Sequence, residues 1–263
     1  MTSLTRSSVS EIMTSPVFVV RDTDRLDFVE RELAKLGISA MPVTDRSEAM
    51  IGVITRSDLL RVGRVRPMNG HRRKLLTLPQ SCAREVMTST VEIVSPAAVL
   101  ADVARRMVRQ HIHRLYVSDD RRPLGVVSTK DVMNATAAAR IATPIGELVH
   151  RSVVSVHAND PVSLAIDRLA ASHHRAVIVM EDAWPVGVFT QADALAARDA
   201  PSDDRVDQWM DPRVLCVPLA MPAFRVAEQL SATRARLALA VDAQGTRGVV
   251  TGIDFARFVS HEA

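Results

Sequence analysis

A hydroxyl residue and an aspartate recur four times in the sequence, always three residues apart. The pairs are Thr55/Asp58, Ser128/Asp131, Thr190/Asp193 and Thr251/Asp254. This spacing is typical of a capping box, in which the hydroxyl caps a backbone N–H and the acid stabilises the positive end of a helix. The same geometry suits phosphate, because a helix N-terminus presents free N–H groups. Each pair therefore predicts a helix start, and anion binding is a compatible second role.

Each pair ends a longer repeated sequence of glycine, two apolar residues, a hydroxyl residue, two variable residues and aspartate. The four endings are GVITRSD (52–58), GVVSTKD (125–131), GVFTQAD (187–193) and GVVTGID (248–254). The aspartates are 73, 62 and 61 residues apart. Upstream of each ending, apolar residues keep one register with spacings of 3, 4 and 7, which predicts a helix with one apolar face.

The elements that position these residues are predicted in the order strand, helix, strand, strand, helix. The first strands are predicted at VFVV (17–20), VEIV (91–94), VVSV (153–156) and VLCV (214–217), and the first two helices at 26–36 and 100–110. The second helix of each repeat is predicted to open at the hydroxyl residue. The fold class is therefore α/β, built from α+β repeats. Because about fifty residues cannot bury both faces of such a unit, the repeats are expected to pair.

This pattern resembles the CBS domain (cystathionine beta-synthase domain) family. The resemblance is carried by IMTSP (12–16), VMTST (86–90) and the four endings. Tandem pairs of this domain form Bateman modules, so the resemblance implies four CBS units in two modules, joined by the Ala-rich stretch 136–143. The implied boundaries are 8–136 for the first module (units 8–62 and 82–136, with a basic loop at 63–81) and 144–260 for the second (units 144–198 and 205–260).

The resemblance also implies roles for the paired residues. The CBS family uses this hydroxyl and this aspartate to bind adenosine nucleotides. Carried over, Thr55 and Ser128 would meet phosphate, and Asp58 and Asp131 would accept the ribose hydroxyls. The corresponding candidates in the last two repeats are Thr190, Asp193, Thr251 and Asp254.

Two basic residues distinguish the first two repeats from the others. Arg56 and Lys130 lie inside the endings and can add positive charge toward a phosphate, whereas the third and fourth endings have Gln191 and Gly252 there. Gly252 is also expected to loosen the helix that it opens. The N-terminal module is therefore the better candidate for ligand binding, although both basic residues are equally compatible with solvated surface charge.

The implied ligand is AMP, ADP or ATP, with NAD and S-adenosylmethionine as alternatives. No catalytic or DNA-binding domain is left over, so the resemblance implies a regulatory protein that signals to an effector protein in trans. It would form a homodimer or an intramolecular disc of its own two modules. Two alternatives remain open: a structural or interaction module with empty sites, and a nucleic-acid-associated protein that uses the basic stretch 61–74.

The basic stretch accounts for the positive charge of the chain. The formal charge is +3, and six basic residues without an acid lie together at Arg61, Arg64, Arg66, Arg72, Arg73 and Lys74. Because Gly63, Pro67 and Gly70 prevent one regular helix, an exposed loop is expected there. The loop could instead clamp a polyphosphate or make nonspecific nucleic-acid contacts.

Composition and motifs exclude several other classes. Aromatic residues make up only 3% of the chain, which argues against a stacking platform for single-stranded nucleic acid. No apolar run reaches the ~20 residues of a membrane helix, and no secretory signal is recognisable. With Cys82 and Cys216 as the only cysteines, neither a zinc site nor a disulfide scaffold is expected, and a cytoplasmic location fits.

Histidines and possible nucleophiles form no recognisable catalytic pattern. His111 and His113 alternate and His173 and His174 adjoin, but no third ligand stands at a metal-binding spacing. No nucleophile elbow or glycine-rich phosphate loop is present. The sequence therefore predicts neither a metal site nor an enzyme.

Overall fold

The computed structural model describes residues 2–67, 74–149, 153–171 and 176–261. Four copies of the predicted order of strand, helix, strand, strand and helix follow one another along the chain. The predicted mixed α/β fold class is confirmed. None of the helices in these ranges is long and apolar enough to cross a membrane.

The N-terminal half of the chain contains the first two repeats. Two short helices come first, α1 (Thr2–Arg6) and α2 (Val9–Ile12). The first repeat comprises β1 (Val20–Arg21), α3 (Leu26–Lys35), β2 (Ala40–Thr44), β3 (Met50–Thr55) and α4 (Arg56–Val62), followed by β4 (Arg64–Pro67), β5 (Lys74–Thr77) and α5 (Ala83–Val86). The second comprises β6 (Ile93–Val94), α6 (Leu100–Gln110), β7 (Arg114–Asp119), β8 (Arg122–Ser128) and α7 (Thr129–Ala138).

The C-terminal half repeats the pattern, and a single 3-10 turn precedes each of its repeats, at Ile145–Glu147 and Val206–Gln208. The third repeat comprises β9 (Ser155–His157), α8 (Val162–Ala171), β10 (Ala176–Glu181), β11 (Trp184–Thr190) and α9 (Gln191–Ala196). The fourth comprises β12 (Leu215–Pro218), α10 (Ala223–Thr233), β13 (Leu237–Asp242), β14 (Gly245–Thr251) and α11 (Gly252–His261).

Each repeat forms a three-stranded sheet with its second strand in the centre. The first strand runs parallel to the second, and the third runs antiparallel to it. The first strands are mostly shorter than predicted: in the first repeat only Val20 and Arg21 pair, with Val43 and Thr44. The apolar residues Phe18 and Val19 just before this strand are exposed, so apolarity alone placed the strand start too early.

The chain forms two compact units, each drawn from separate stretches of sequence. Unit A comprises Met1–Val17, Glu92–Val153 and Arg213–Ala263, and unit B comprises Phe18–Val91 and Val154–Pro212. Unit A therefore contains the second and fourth repeats, and unit B contains the first and third. The module boundaries inferred from the sequence, 8–136 and 144–260, stay a prediction.

Helices of two repeats share the core of unit A. The apolar face of α6, with Leu100, Val103 and Met107, joins a cluster that includes Val259 of α11. The predicted linker at 136–143 is wrong at its start, because α7 continues to Ala138. Thr136 is fully buried, and its hydroxyl donates to the Val132 carbonyl at 2.9 Å. Burial of Thr136 explains why residues 136–138, the start of the predicted linker, belong to α7.

In unit B the basic stretch is structured. The loop prediction is wrong for 64–67 and 74–77, because β4 and β5 pair as an antiparallel ladder. Val65 of this hairpin packs against the core of the third repeat, and Leu76 packs against that of the first, so apolar burial holds the hairpin in place. Residues 68–73, and with them the predicted contacts of Arg72 and Arg73, lie outside the described residues.

An arginine from the third repeat closes the helix that precedes this hairpin. The guanidinium of Arg198 donates to the carbonyl of Leu60 at 2.9 Å and also to the carbonyls of Arg61 and Gly63. The last carbonyls of a helix have no intrahelical donors and carry a partial negative charge. Arg198 therefore satisfies the end of α4 at the point where the chain turns into the hairpin.

Candidate functional site

The predicted hydroxyl–aspartate pairs form the start of the second helix in every repeat. At Asp131, Oδ2 accepts both the backbone N–H of Ser128 at 2.7 Å and its hydroxyl at 2.5 Å. The other three pairs repeat this arrangement at Thr55/Asp58, Thr190/Asp193 and Thr251/Asp254. The hydroxyls of Thr55 and Ser128 also accept from the N–H of their aspartate, which completes the capping box. The capping prediction is confirmed in these two repeats.

This hydrogen bonding limits what the hydroxyls can do at the same moment. A hydroxyl carries one proton, and in Thr55 and Ser128 that proton is directed to the aspartate. A phosphate can therefore receive this proton only if the hydroxyl rotates away from the carboxylate. The phosphate contact implied for these two residues stays a prediction.

The second carboxylate oxygen distinguishes three of the four aspartates. Oδ1 of Asp58 accepts from the Arg61 guanidinium at 2.7 Å, and Oδ1 of Asp254 accepts from Arg257 at 2.5 Å. Asp131 has a neutral donor instead, because its Oδ1 accepts from the Thr14 hydroxyl at 3.1 Å. Asp58 and Asp254 are also buried, whereas Asp131 is half-buried. Of these three carboxylates, that of Asp131 in the second repeat is therefore the most accessible to a ligand.

Thr14 reaches Asp131 from 117 residues away in sequence, by way of a docked segment. We call residues 8–14 the N-terminal segment. Its Thr14 pairs with Val126 of β8 through N–H to carbonyl bonds of 2.9 and 3.0 Å. Met13 lies on Gly125, where an added Cβ would be 2.6 Å from its sulfur. The glycine of the repeated ending is therefore required for this close contact.

Equivalent segments dock in two other repeats. Thr88 pairs with Val53 of the first repeat, and Asp211 pairs with Val188 of the third. Asp211, which precedes the fourth repeat, is a buried acid at the position where the segments before the first and second repeats carry Thr14 and Thr88. A second carboxylate at this position makes the third repeat less suited to an anionic ligand than the second. The residue at this position before the third repeat, His150, lies outside the described residues.

The basic residues expected to face phosphate are placed at the helix starts. Arg56 is the first residue of α4 and Lys130 the second residue of α7, and both are exposed. Lys130 adds its charge to the N-terminus of a ten-residue helix, where the free N–H groups already favour an anion. Exposure is compatible with ligand contact and with simple solvation.

Gly252 has a packing role that the sequence did not indicate. An added Cβ at Gly252 would lie 2.8 Å from Oγ1 of Thr129 and 3.0 Å from its Cβ. Thr129 opens α7 and Gly252 opens α11, so the two helix starts meet inside unit A. The glycine permits this close approach, and the helix it opens extends to His261.

No group of three or more histidine, cysteine, aspartate or glutamate side chains that could hold a metal occurs within the described ranges. Cys82 and Cys216 are free thiols. His111 adopts a left-handed conformation (φ 53°) and ends α6. His173 and His174 lie outside the described residues.

Sequence reasoning missed three residues that act on the carboxylates. Arg61 and Arg257 stand three residues after their aspartates, at positions that hold Asn134 and Ala196 in the other repeats. A spacing of three residues places each arginine on the same helix face as its aspartate. The arginines could therefore have been found by comparing the four repeats at the position three residues after the aspartate. Thr14 could have been suspected from the Met–Thr pair that recurs before the first and second repeats.

Comparisons with known proteins give a consistent result. The CBS domain profile matches residues 9–64, 83–138 and 145–200. A crystal structure from Methanocaldococcus jannaschii, of a protein proposed to be an archaeal homolog of g-AMPK, superposes with a TM-score of 0.74 at 14% identity over 96% of this chain and 99% of that one. The crystal structure of an uncharacterized conserved protein from Pyrococcus horikoshii superposes with a TM-score of 0.65 at 19% sequence identity. This superposition covers 96% of this chain and 100% of that one.

Among curated proteins, an uncharacterized 33.4 kDa protein in a ribosomal RNA operon of Thermofilum pendens is 23% identical over 206 residues. The match covers 73% of this chain and 65% of that relative, so the chain spans about two thirds of the relative's length. At these identities the two crystal structures show the shared fold.

Proposed function

Because the chain belongs to the CBS domain family, we propose that it is a regulatory protein that binds an adenine nucleotide, AMP, ADP or ATP, and signals to a partner protein in trans. The observation that carries the proposal is the carboxylate of Asp131. Its Oδ2 serves the helix cap, and among the described residues the donor to its Oδ1 is the neutral hydroxyl of Thr14. Each ionised carboxylate oxygen has about two acceptor positions, so Oδ1 can still accept from a ribose hydroxyl.

Phosphate recognition is supported by the start of α7. Its N-terminal N–H groups carry a partial positive charge, and Lys130 adds a full one within the same turn. We assign the ribose to Asp131 and the phosphate to Lys130 and this helix end. Ser128 joins the phosphate when its hydroxyl leaves Asp131.

The other repeats are weaker candidate sites. In the first, Thr55, Arg56 and Asp58 have the right types, but Arg61 occupies the outer oxygen of the carboxylate. In the third, the acid Asp211 pairs with Val188, two residues before the cap formed by Thr190 and Asp193. In the fourth, Thr251 and Asp254 lack an added basic residue in the ending, and Arg257 occupies Oδ1. We therefore propose the second repeat as the principal site.

The family profile covers three repeats, and we propose 205–260 as the fourth CBS unit. It has the same element order as the others and a Thr–Asp pair at the same helix start.

We also propose that the four units are grouped into two Bateman modules, 8–136 and 144–260. This grouping is supported by the docked segments, because the segment before the first repeat pairs with the second, and the segment before the second pairs with the first.

Calorimetric titration with AMP, ADP and ATP tests the proposal. Asp131→Asn keeps the size of the side chain and most of its capping capacity but removes the charge. We expect the principal binding event to disappear or to weaken by ~1.5–3 kcal/mol, the range for a hydrogen bond to a charged group. Asp193→Asn is the matched control, because it makes the same change at a half-buried capping aspartate, and we expect it to bind as the wild type does.

Two results would contradict the proposal. If wild-type protein carrying no copurified nucleotide binds none of the three nucleotides, the chain is better described as an interaction module with empty sites. If Asp131→Asn and Asp193→Asn bind equally well, the nucleotide is held elsewhere and the second repeat is not the principal site.

A further inference from the structure

Three methionine side chains lie where the docked segments meet the sheets. Each covers the glycine that begins a repeated ending, and a Cβ added to that glycine would come within 2.9 Å of the methionine Cγ or sulfur. The methionine therefore occupies the space that any other residue would need for its side chain. We call these residues the docked methionines, and they are Met13 on Gly125, Met87 on Gly52 and Met210 on Gly187.

The residue after each docked methionine is bonded to the edge of a strand. In each case its carbonyl accepts from the backbone N–H of a valine, at 2.8–3.0 Å. Because a backbone N–H has one proton, its protection from solvent exchange depends on the segment remaining docked. These valines are therefore reporters of docking, and they are Val126 bonded to Thr14, Val53 to Thr88 and Val188 to Asp211.

The exposure of the docked methionines makes them accessible to a small oxidant. All three are half-buried and pack against the apolar cores at their edges. Met180 is half-buried as well, but it is not among the nearest neighbours of any described glycine. Four other methionines are buried and protected, namely Met41, Met50, Met107 and Met133.

We propose that the docked methionines are modification sites for an oxidant of the peroxide class, and that their oxidation releases the segments from the sheets. The O–O bond of the peroxide breaks as one oxygen bonds to sulfur. Sulfur loses two electrons, and the other oxygen leaves as water with both peroxide protons. A thioether that fits an apolar contact thus becomes a sulfoxide.

The contact with glycine explains why this modification acts on docking. The sulfoxide oxygen is a polar acceptor, and burying it without a donor is costly. The side chain must therefore leave the glycine, and the adjoining carbonyl then releases its valine N–H. Methionine sulfoxide reductases reverse the oxidation, so the release is reversible. This inference goes beyond the proposed function and does not depend on nucleotide binding.

Amide hydrogen exchange of the full chain, labelled with 15N-valine and treated with hydrogen peroxide, tests the proposal. A thiol is added after the peroxide to restore oxidised cysteines, and mass spectrometry measures sulfoxide at each methionine. We expect Val53, Val126 and Val188 to exchange about 5- to 150-fold faster, which corresponds to the cost of burying an unpaired polar group. Methionine sulfoxide reductase should then restore slow exchange.

Three substitutions assign the effect to single residues. Leucine keeps the apolar volume of methionine but has no sulfur to oxidise. After peroxide, each leucine variant should retain slow exchange only at the valine bonded to its own segment. The expected pairs are Met13→Leu with Val126, Met87→Leu with Val53 and Met210→Leu with Val188. Met180→Leu is the matched control and should respond as the wild type does.

A polar side chain of similar length tests the release without an oxidant. Met13→Gln should accelerate the exchange of Val126 in untreated protein, and unchanged exchange there would reject the proposal. The proposal is also rejected if Met180 is fully oxidised while the docked methionines are not, or if peroxide accelerates Val126 equally in Met13→Leu. A valine that still exchanges slowly after its methionine is oxidised rejects the proposal for that segment.

Discussion

Removing Arg61 should open the nucleotide site of the first repeat. The Arg61 guanidinium donates to Oδ1 of Asp58 at 2.7 Å, and Oδ2 already serves the helix cap. A ribose hydroxyl must therefore compete with a cation for the outer oxygen. In the part of the chain that the structure describes, the donor to the same atom of Asp131 in the second repeat is a neutral hydroxyl. The substitution that removes this competition with little change in the side-chain stem is Arg61→Met.

The structure sets the size of the two effects. The Arg61 side chain is 61% exposed, so the ion pair is screened by water and its loss should cost within ~0.2–1 kcal/mol of stability. A ribose hydroxyl that reaches the freed carboxylate oxygen should contribute ~1.5–3 kcal/mol. The affinity of the first repeat for AMP should therefore increase by at least about tenfold.

The measurement is cleanest when the second repeat no longer binds. In an Asp131→Asn background we expect weak or no AMP binding by calorimetry, and we expect Arg61→Met to restore a binding event. Arg31→Met is the matched control, because it breaks an exposed ion pair with Asp27 on α3 without touching a capping aspartate. If the double variant is folded by circular dichroism and binds no better than Asp131→Asn alone, Arg61 does not block the site.

Two further substitutions test the packing around the site. Arg198→Ala leaves the carbonyls of Leu60 and Gly63 without a charged donor, so urea unfolding should show a loss of ~1.5–3 kcal/mol, and Arg198→Lys should recover only part of it. Gly252→Ala would normally stabilise a helix by ~1 kcal/mol. Here the added Cβ would lie 2.8 Å from Oγ1 of Thr129, so we expect a loss of ~1–3 kcal/mol in the free energy of unfolding instead. Adding Thr129→Ala to this variant should recover part of the loss. A stabilised Gly252→Ala, or an Arg198→Ala as stable as wild type, would show that these contacts are not tight in solution.

Local patterns in the sequence predicted the elements and their caps well. The apolar spacing placed α6 at 100–110, and the structure has it at Leu100–Gln110. The hydroxyl–aspartate spacing predicted the caps: in all four repeats the aspartate accepts from the N–H of the hydroxyl residue three positions before it. These features depend on residues within one or two helical turns of each other, and such short-range interactions require a periodic pattern of residue types that can be recognised in the sequence.

Features that depend on distant residues could not be predicted in this way. The Thr14–Asp131 contact joins residues 117 apart, and Arg198 reaches the end of α4 from 138 residues beyond Leu60. Gly63 and Pro67 correctly argued against a single helix but could not show that β4 and β5 pair. The packing role of Gly252 could not be predicted, because it depends on the close approach of Thr129 from another repeat.

The position of Thr14 gives the proposed site a physical route to a partner. Oδ1 of Asp131 has room for two donors, so a ribose hydroxyl would share this oxygen with the Thr14 hydroxyl of the N-terminal segment. Two donors to one carboxylate oxygen divide its charge, so ligand binding and docking of the segment are linked, and each weakens the other by the same free energy. This coupling cannot exceed the strength of the Thr14 contact, ~0.5–3 kcal/mol for such a hydrogen bond. A partner that recognises residues 8–14 would therefore sense nucleotide as a several-fold change in its own affinity, without any change in the fold of the repeats.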